Sequence, residues 1–151
     1  MNRHENFKER LRAAGMRLTA PRLAVLTAVA DLPHGDADAI AEAARLGIGS
    51  LSTQAVYDNL HALVLAGLVR RIEPAGHPAR YEVRVGDNHH HVVCRHCGKT
   101  ADVDCTLGLA PCLIPSNDHG FAIDEADVTF WGACPDCRTA VQPIPKPGAT
   151  R

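Results

Sequence analysis

A chain that carries Cys94-Arg95-His96-Cys97 and Cys134-Pro135-Asp136-Cys137 must bring two distant turns together if all four thiols are to work as one group. Each Cys-x-x-Cys turn sets two sulfurs close enough to share an ion. Two such turns complete a tetrahedral sphere, the arrangement zinc takes in structural sites. A closed sphere leaves no position for substrate. The expectation is therefore a structural Zn2+ held by Cys94, Cys97, Cys134 and Cys137, with metal binding and folding as one event. Zinc nucleobase deaminases also use a Cys-x-x-Cys pair, but they need a His-x-Glu element ahead of Pro-Cys-x-x-Cys. Here His-x-Glu is absent and the proline lies inside the pair.

The 151 residues suit one domain or two small ones. Aromatic residues are only 4% of the chain, so its cores must be aliphatic. No apolar run approaches the roughly 18 residues of a membrane-spanning helix, and the polar N-terminus lacks a signal-peptide core. The expectation is a cytoplasmic protein with no membrane partner, whose thiols stay reduced. Six cysteines then point to metal or redox chemistry before disulfides. Charge is unevenly spread. Residues 1–84 hold 11 Lys+Arg against 9 Asp+Glu, and residues 85–151 hold 5 against 8. The basic excess of the first part is too small to establish nucleic-acid binding alone.

Helical periodicity predicts a first helix over residues 5–14, with Phe7, Leu11 and Ala14 on one face. Thr19 can cap a second, with Pro21 in its first turn and Leu23, Leu26 and Ala30 continuing it to about Asp31. Asp36 can cap a third, ending near Gly47, and Ser52 a fourth over 53–66 that stops at Gly67. The fourth buries Val56, Leu60, Leu63 and Val64 and exposes Thr53, Gln54, Tyr57, Asp58 and His61. The period then changes to two. Residues 68–73 and 80–85 read as strands around a turn at 74–78. Helices followed by a hairpin make a winged helix-turn-helix. Gly86 is a natural hinge, and strand-like segments follow at 89–94, 99–104 and 127–133. The fold class is α+β: a winged-helix domain over 1–84 and a small α/β dimerisation domain over 85–140. The prolines and glycine of residues 141–151 predict a disordered tail.

Arg17-Leu18-Thr19 with Pro21-Arg22, Gln54-Ala55-Val56-Tyr57, His89-His90-His91 and the two Cys-x-x-Cys pairs together resemble the ferric uptake regulator (Fur) family of metal-dependent repressors. The resemblance covers about residues 5–140. It is strongest to the peroxide-responsive branch that represses catalase-peroxidase genes. It implies a homodimer that binds double-stranded DNA at an A·T-rich inverted repeat, with no small-molecule substrate and no enzymatic activity. It implies a regulatory Fe2+ or Mn2+ at His34, Glu82, His89, His91 and Asp102. Imidazoles with carboxylates make a borderline-hard site suited to those ions. His89 and His91 are two apart, so on a strand they share a face, and His90 points the other way. Aspartate at 102, where iron sensors tend to carry glutamate, implies peroxide access to iron, with His34 and His89 as the groups oxidised. A further family site expects a histidine in the stretch where this chain has Asp124-Glu125-Ala126-Asp127, and Asn88 and His90 also depart from it.

On the exposed face of the fourth helix, Gln54 can bond adenine and Tyr57 can meet a thymine methyl. Arg17 suits a narrow minor groove. Arg70, Arg71 and Arg80 of the hairpin suit phosphates. Cys105 and Cys112 are extra to the cage: a redox pair, weak ligands or small buried apolar residues. The competing functions are an iron- or zinc-availability repressor without peroxide sensing, a thiol-based redox switch, and a metalloenzyme of His89, His91 and Glu82. The last lacks a nucleophile or general base, and a thiol-disulfide oxidoreductase lacks its βαβ pattern.

Overall fold

Capping side chains set where the helices of the first unit begin. In the computed structural model, which describes residues 2–140, Asn2 caps α1 (Arg3–Ala13) and Thr19 caps α2 (Ala20–Asp31). Asp36 accepts from the Ala39 N–H at 2.9 Å to start α3 (Ala37–Ile48). Ser52 accepts from Ala55 at 3.0 Å to start α4 (Thr53–Leu65). Each cap satisfies a backbone donor that the helix cannot. Gly67, at φ 70°, follows α4 in the left-handed conformation that stops it. The chain divides into two compact units, Met1–Gly86 and Asp87 onward. The tail expected to be disordered lies outside the described residues.

The core of the first unit is aliphatic. Val25, Leu26, Val29, Ile40, Val56, Leu60 and Leu63 are each 1% exposed or less, and burying each side chain of this size contributes about 1.5–3 kcal/mol. On α1 Phe7 and Leu11 are buried, but Ala14 is an exposed C-cap, not a core residue. On α2 Leu23 and Ala30 only flank the core, and Val25, Ala28 and Val29 join Leu26 inside it. That helix is apolar nearly all round, so periodicity could not choose its face. Val64 is likewise only partly buried.

The turn between α3 and α4 is fixed by Arg45, which donates to the Leu51 carbonyl at 2.8 Å and to Thr53 Oγ1 at 3.2 Å. The wing follows as β1 (Arg70–Ile72) and β2 (Arg80–Glu82), antiparallel with Arg71 opposite Tyr81. Both strands are shorter than the sequence suggests. A bridge between Gly35 and Tyr81 ties the α2–α3 loop to β2.

The second unit is a three-stranded sheet of order β4-β3-β5, built from β3 (His89–Cys94), β4 (Thr100–Asp104) and β5 (Thr129–Gly132). β4 runs antiparallel to β3 and β5 parallel to it. A parallel neighbour needs a long crossover, supplied here by residues 105–128. A short helix α5 (Pro135–Ala140) closes the described chain. Neither the parallel pairing nor α5 is legible in the sequence. Among the described residues no helix is long and apolar enough to cross a membrane.

Candidate metal centres and nucleic-acid face

The parallel pairing of β3 with β5 builds the thiol cage. Its register sets Cys94 beside Gly132, two residues before Cys134. The first turn is closed by Gly98 N–H donating to the Cys94 carbonyl at 3.0 Å, and by Cys94 N–H donating to Lys99 at 2.9 Å. Arg95 N–H reaches the Gly132 carbonyl at 2.8 Å and locks one turn to the other strand. Cys137 comes from α5. One sulfur from each of Cys94, Cys97, Cys134 and Cys137 lies within 4.8 Å of every other. Cys97 and Cys134 are 3.7 Å apart, close to the roughly 3.8 Å between sulfurs around zinc at 2.3 Å. The donor set therefore fits Zn2+.

The thiols are electrostatically unequal. N–H groups of Cys97, Cys134 and His96 converge on Cys94 and lower its thiol to about 5. Cys137 is raised to about 12, chiefly by the neighbouring Cys134 thiol. Four thiolates at this spacing repel one another, and a divalent cation relieves that repulsion.

A second donor group sits on the same strand. His89 and His91 share one face of β3, with ring centroids 4.9 Å apart. Both are buried, at 2% and 1% exposure. β4 sets Asp102 opposite His91. One Asp102 oxygen lies 3.5 Å from His91 Nε2 and 3.7 Å from His89 Nε2. Asp87 holds His89 Nδ1 at 2.5 Å. A carboxylate on Nδ1 fixes the tautomer that offers Nε2 as the ligand atom, the usual outer-shell support of a metal-binding histidine. Asp87 is not among the sequence-predicted donors; its signal was its place two residues before His89, on the same face.

In the first unit His34 Nε2 and Glu82 Oε2 are 3.1 Å apart, with side chains 9% and 3% exposed. His34 has φ 62°. That region is uncommon outside glycine, and such strained residues cluster at functional sites.

Cys105 and Cys112 stand apart from the cage. Their thiols group with His90 instead.

The residues expected to meet DNA lie in the first unit. Gln54 and Tyr57 are exposed on α4. Gln54 Nε2 donates to Asp58 at 2.8 Å. Tyr57 lies with Asp58, His61 and Val64 along a groove of about 450 Å³ whose far wall is Arg71 and Tyr81 of the wing. Arg71 is exposed, pairs with Glu73, and is raised above its ordinary value chiefly by the Tyr81 side chain. Arg70 is half-buried at the foot of β1, and Arg17 is exposed ahead of α2. Arg80 differs from the expectation of a phosphate contact. It points toward Asp36 at 3.9 Å and the His34 carbonyl at 3.5 Å, with only 19% of its side chain exposed.

The sequence profile described as "Ferric uptake regulator family" matches residues 13–130. The "Transcriptional regulator FurA" of Mycobacterium tuberculosis is 58% identical over 132 residues, 87% of this chain and 90% of that protein. The "Peroxide operon regulator" of Bacillus subtilis is 29% identical over 131 residues, 85% of this chain and 89% of that protein. Among solved structures, the Helicobacter pylori ferric uptake regulator superposes with a TM-score of 0.67 over 88% of this chain and 89% of that one, at 18% identity. The match runs from α1 to β5 and across both units. The chain therefore belongs to the ferric uptake regulator family, whose members are metal-responsive transcriptional regulators that bind DNA as dimers and are not enzymes.

Proposed function

We propose that this regulator is a repressor that senses peroxide through a bound Fe2+ and controls oxidative-stress genes, catalase genes among them, from the cytoplasm. In this reading His34, Glu82, His89, His91 and Asp102 are the donors to the regulatory ion, Fe2+ or Mn2+. Two donors come from the DNA-binding unit and three from the strand pair that leads into the cage. An ion that takes donors from both favours one arrangement of the units over others, and only by its difference in affinity between them.

The observation that carries the peroxide reading is the aspartate at 102, shared by two buried histidines that present Nε2 to it. Its carboxylate has one methylene fewer than glutamate. A shorter arm would cover less of a bound ion than a glutamate would. Bound Fe2+ would supply Fenton-type cleavage of peroxide beside the imidazoles that hold it, with the net change that one peroxide oxygen is added to a ring and the other leaves as water. The chain's own part is placement: Asp87 keeps the His89 tautomer, and the His34 loop is fastened to the wing. An oxygen added to His34 or His89 would spoil a donor and weaken the hold on the ion. The likeness to a peroxide operon regulator supports this reading.

Asp102→Glu is the direct test. It retains a carboxylate, so Fe2+-dependent DNA binding persists, while the peroxide sensitivity of that binding falls by about tenfold or more, a barrier difference of about 1.4 kcal/mol. Unchanged sensitivity removes aspartate from the account and leaves an iron-availability repressor.

A further inference from the structure

Two cysteines and one histidine of the second unit meet outside both donor groups described above. His90 lies on the face of β3 opposite to His89 and His91, because side chains alternate along a strand. The ladder pairs His89 with Asp104 and His90 with Val103. Cys105 directly follows β4 and continues the alternation on the Val103 face, which is the His90 face. Cys112 returns at the end of the loop after it, with Sγ 3.0 Å from His90 Nε2. That loop is fastened to β3 by Asn88, whose side chain donates to the Leu109 carbonyl at 2.8 Å. One atom from each of His90, Cys105 and Cys112 lies within 4.8 Å of both others.

The environment separates this group from an ordinary buried cysteine pair. His90 is 5% exposed, and its Nδ1 has no hydrogen-bond partner among the described residues. A buried imidazole whose polar contact is a thiol is costly to keep without a further role. Both thiols are partly open to solvent, so an ion can reach them. Around an ion with 2.3 Å bonds to sulfur and about 2.05 Å to nitrogen, tetrahedral sulfurs stand roughly 3.8 Å apart and sulfur and nitrogen roughly 3.6 Å apart. Cys112 Sγ and His90 Nε2, at 3.0 Å, stand slightly closer than that, and all three donor atoms lie within 4.8 Å of one another, so the group is of the size that holds such an ion.

We propose that His90, Cys105 and Cys112 form a third metal site, a two-sulfur, one-nitrogen site for a thiophilic d10 cation, Zn2+ or Cu+, with an exchangeable fourth position. The donor chemistry selects the ion. Thiolates and an imidazole favour zinc and monovalent copper, whereas the carboxylate-containing set of His89, His91 and Asp102 favours harder divalent ions. Two thiolates and a neutral imidazole leave bound Zn2+ uncharged overall, so burying it costs little. The three-ligand sphere contrasts with the closed four-thiolate cage, whose ion has no place to exchange. The site shares the His90 position with the further family site but not its donor set, which expects a histidine where this chain has Ala126; here two thiols take the place of those donors. It depends neither on the regulatory donors nor on the peroxide reading.

The test uses the full-length dimer, purified under reductant with its cage zinc in place. It is titrated with Zn2+ and, separately, with Cu+ against competing chelators. The same titrations are run on Cys105→Ser/Cys112→Ser, which keeps the cage and the regulatory donors. The wild type takes up one more equivalent of Zn2+ or Cu+ per chain than the variant. His90→Ala binds that equivalent more than about tenfold more weakly. A readout that needs no variant is alkylation of the wild type, mapped by mass spectrometry: the added cation protects Cys105 and Cys112 by tenfold or more. Protection by Zn2+ alone or Cu+ alone names the ion. Equal stoichiometry in wild type and double variant, or equal labelling of both cysteines with and without either cation, overturns the proposal.

Discussion

His34 Nε2 lies 3.1 Å from Glu82 Oε2, across 48 residues of sequence, because the loop before α3 is hydrogen-bonded to the wing. His34 N–H donates to the Tyr81 carbonyl at 3.1 Å, and Tyr81 N–H donates to Gly35 at 3.0 Å. In the proposed reading the helix-turn-helix and its wing offer this pair to the regulatory ion, so that a change in its occupancy would act on the elements expected to meet DNA.

That relationship predicts the effect of His34→Ala. The variant remains a zinc-loaded dimer, since its cage is untouched. Its affinity for Fe2+ or Mn2+ falls by at least about tenfold, given that even residues supporting a ligand are worth about 10–100-fold. Moving a population from 1:99 to 99:1 takes about 5.5 kcal/mol of differential affinity, so a partial loss already blunts the response. Isothermal titration with Mn2+, followed by DNA binding with and without the ion, measures both effects. Full metal-dependent DNA binding by this variant places the regulatory donors elsewhere.

The cage carries a stability prediction. Comparable zinc sites contribute about 10–16 kcal/mol in small peptides, so Cys137→Ser loses one tightly held zinc per chain and the dimer with it. Sedimentation with metal analysis reads both. A folded, zinc-free dimer contradicts the structural assignment. Acid acts through the same thiols. Cys137, raised to about 12, is protonated at neutral pH without metal, and zinc must displace that proton. Cys94, lowered to about 5, is already a thiolate. Zinc affinity therefore falls as pH falls, by about tenfold per pH unit for each proton displaced.

Tyr57 and Arg71 line one groove, and the proposed DNA face assigns them different roles. Tyr57→Ala relaxes base preference, with a loss of about 1–3 kcal/mol on the preferred A·T-rich inverted repeat and little on random sequence. Arg71→Ala weakens every sequence alike and lowers the salt slope by about one. Competition binding at several salt concentrations separates them. Equal losses on both DNAs for Tyr57→Ala mean that α4 does not read bases through this ring. Arg80→Ala, facing Asp36 instead of solvent, leaves the salt slope unchanged.

Sequence carried the local and the chemical parts of this molecule furthest. Thr19, Asp36 and Ser52 marked helix starts because a cap is a one-residue signal with its own chemistry. The cage was legible because four thiols at fixed spacing have few other uses. The i, i+2 spacing of His89 and His91 gave their shared face. What was not legible depended on tertiary pairing. The parallel register of β3 and β5, which brings the two cysteine turns together, leaves no periodic trace. The inward turn of Arg80 depends on the Gly35–Tyr81 bridge. The meeting of His90 with Cys105 and Cys112 depends on how the 106–111 loop folds back.

The measurement that bears most directly on the peroxide reading compares one operator-bound dimer loaded with Fe2+ or with Mn2+, before and after low peroxide. The account predicts release from DNA in the Fe2+ form, no release in the Mn2+ form, and a one-oxygen mass increase on the peptide holding His34 or His89 that thiol reductant does not reverse. Equal release of the Mn2+ form, with binding restored by reductant and the release abolished by substitution of Cys105 and Cys112, contradicts it and makes the protein a cysteine switch.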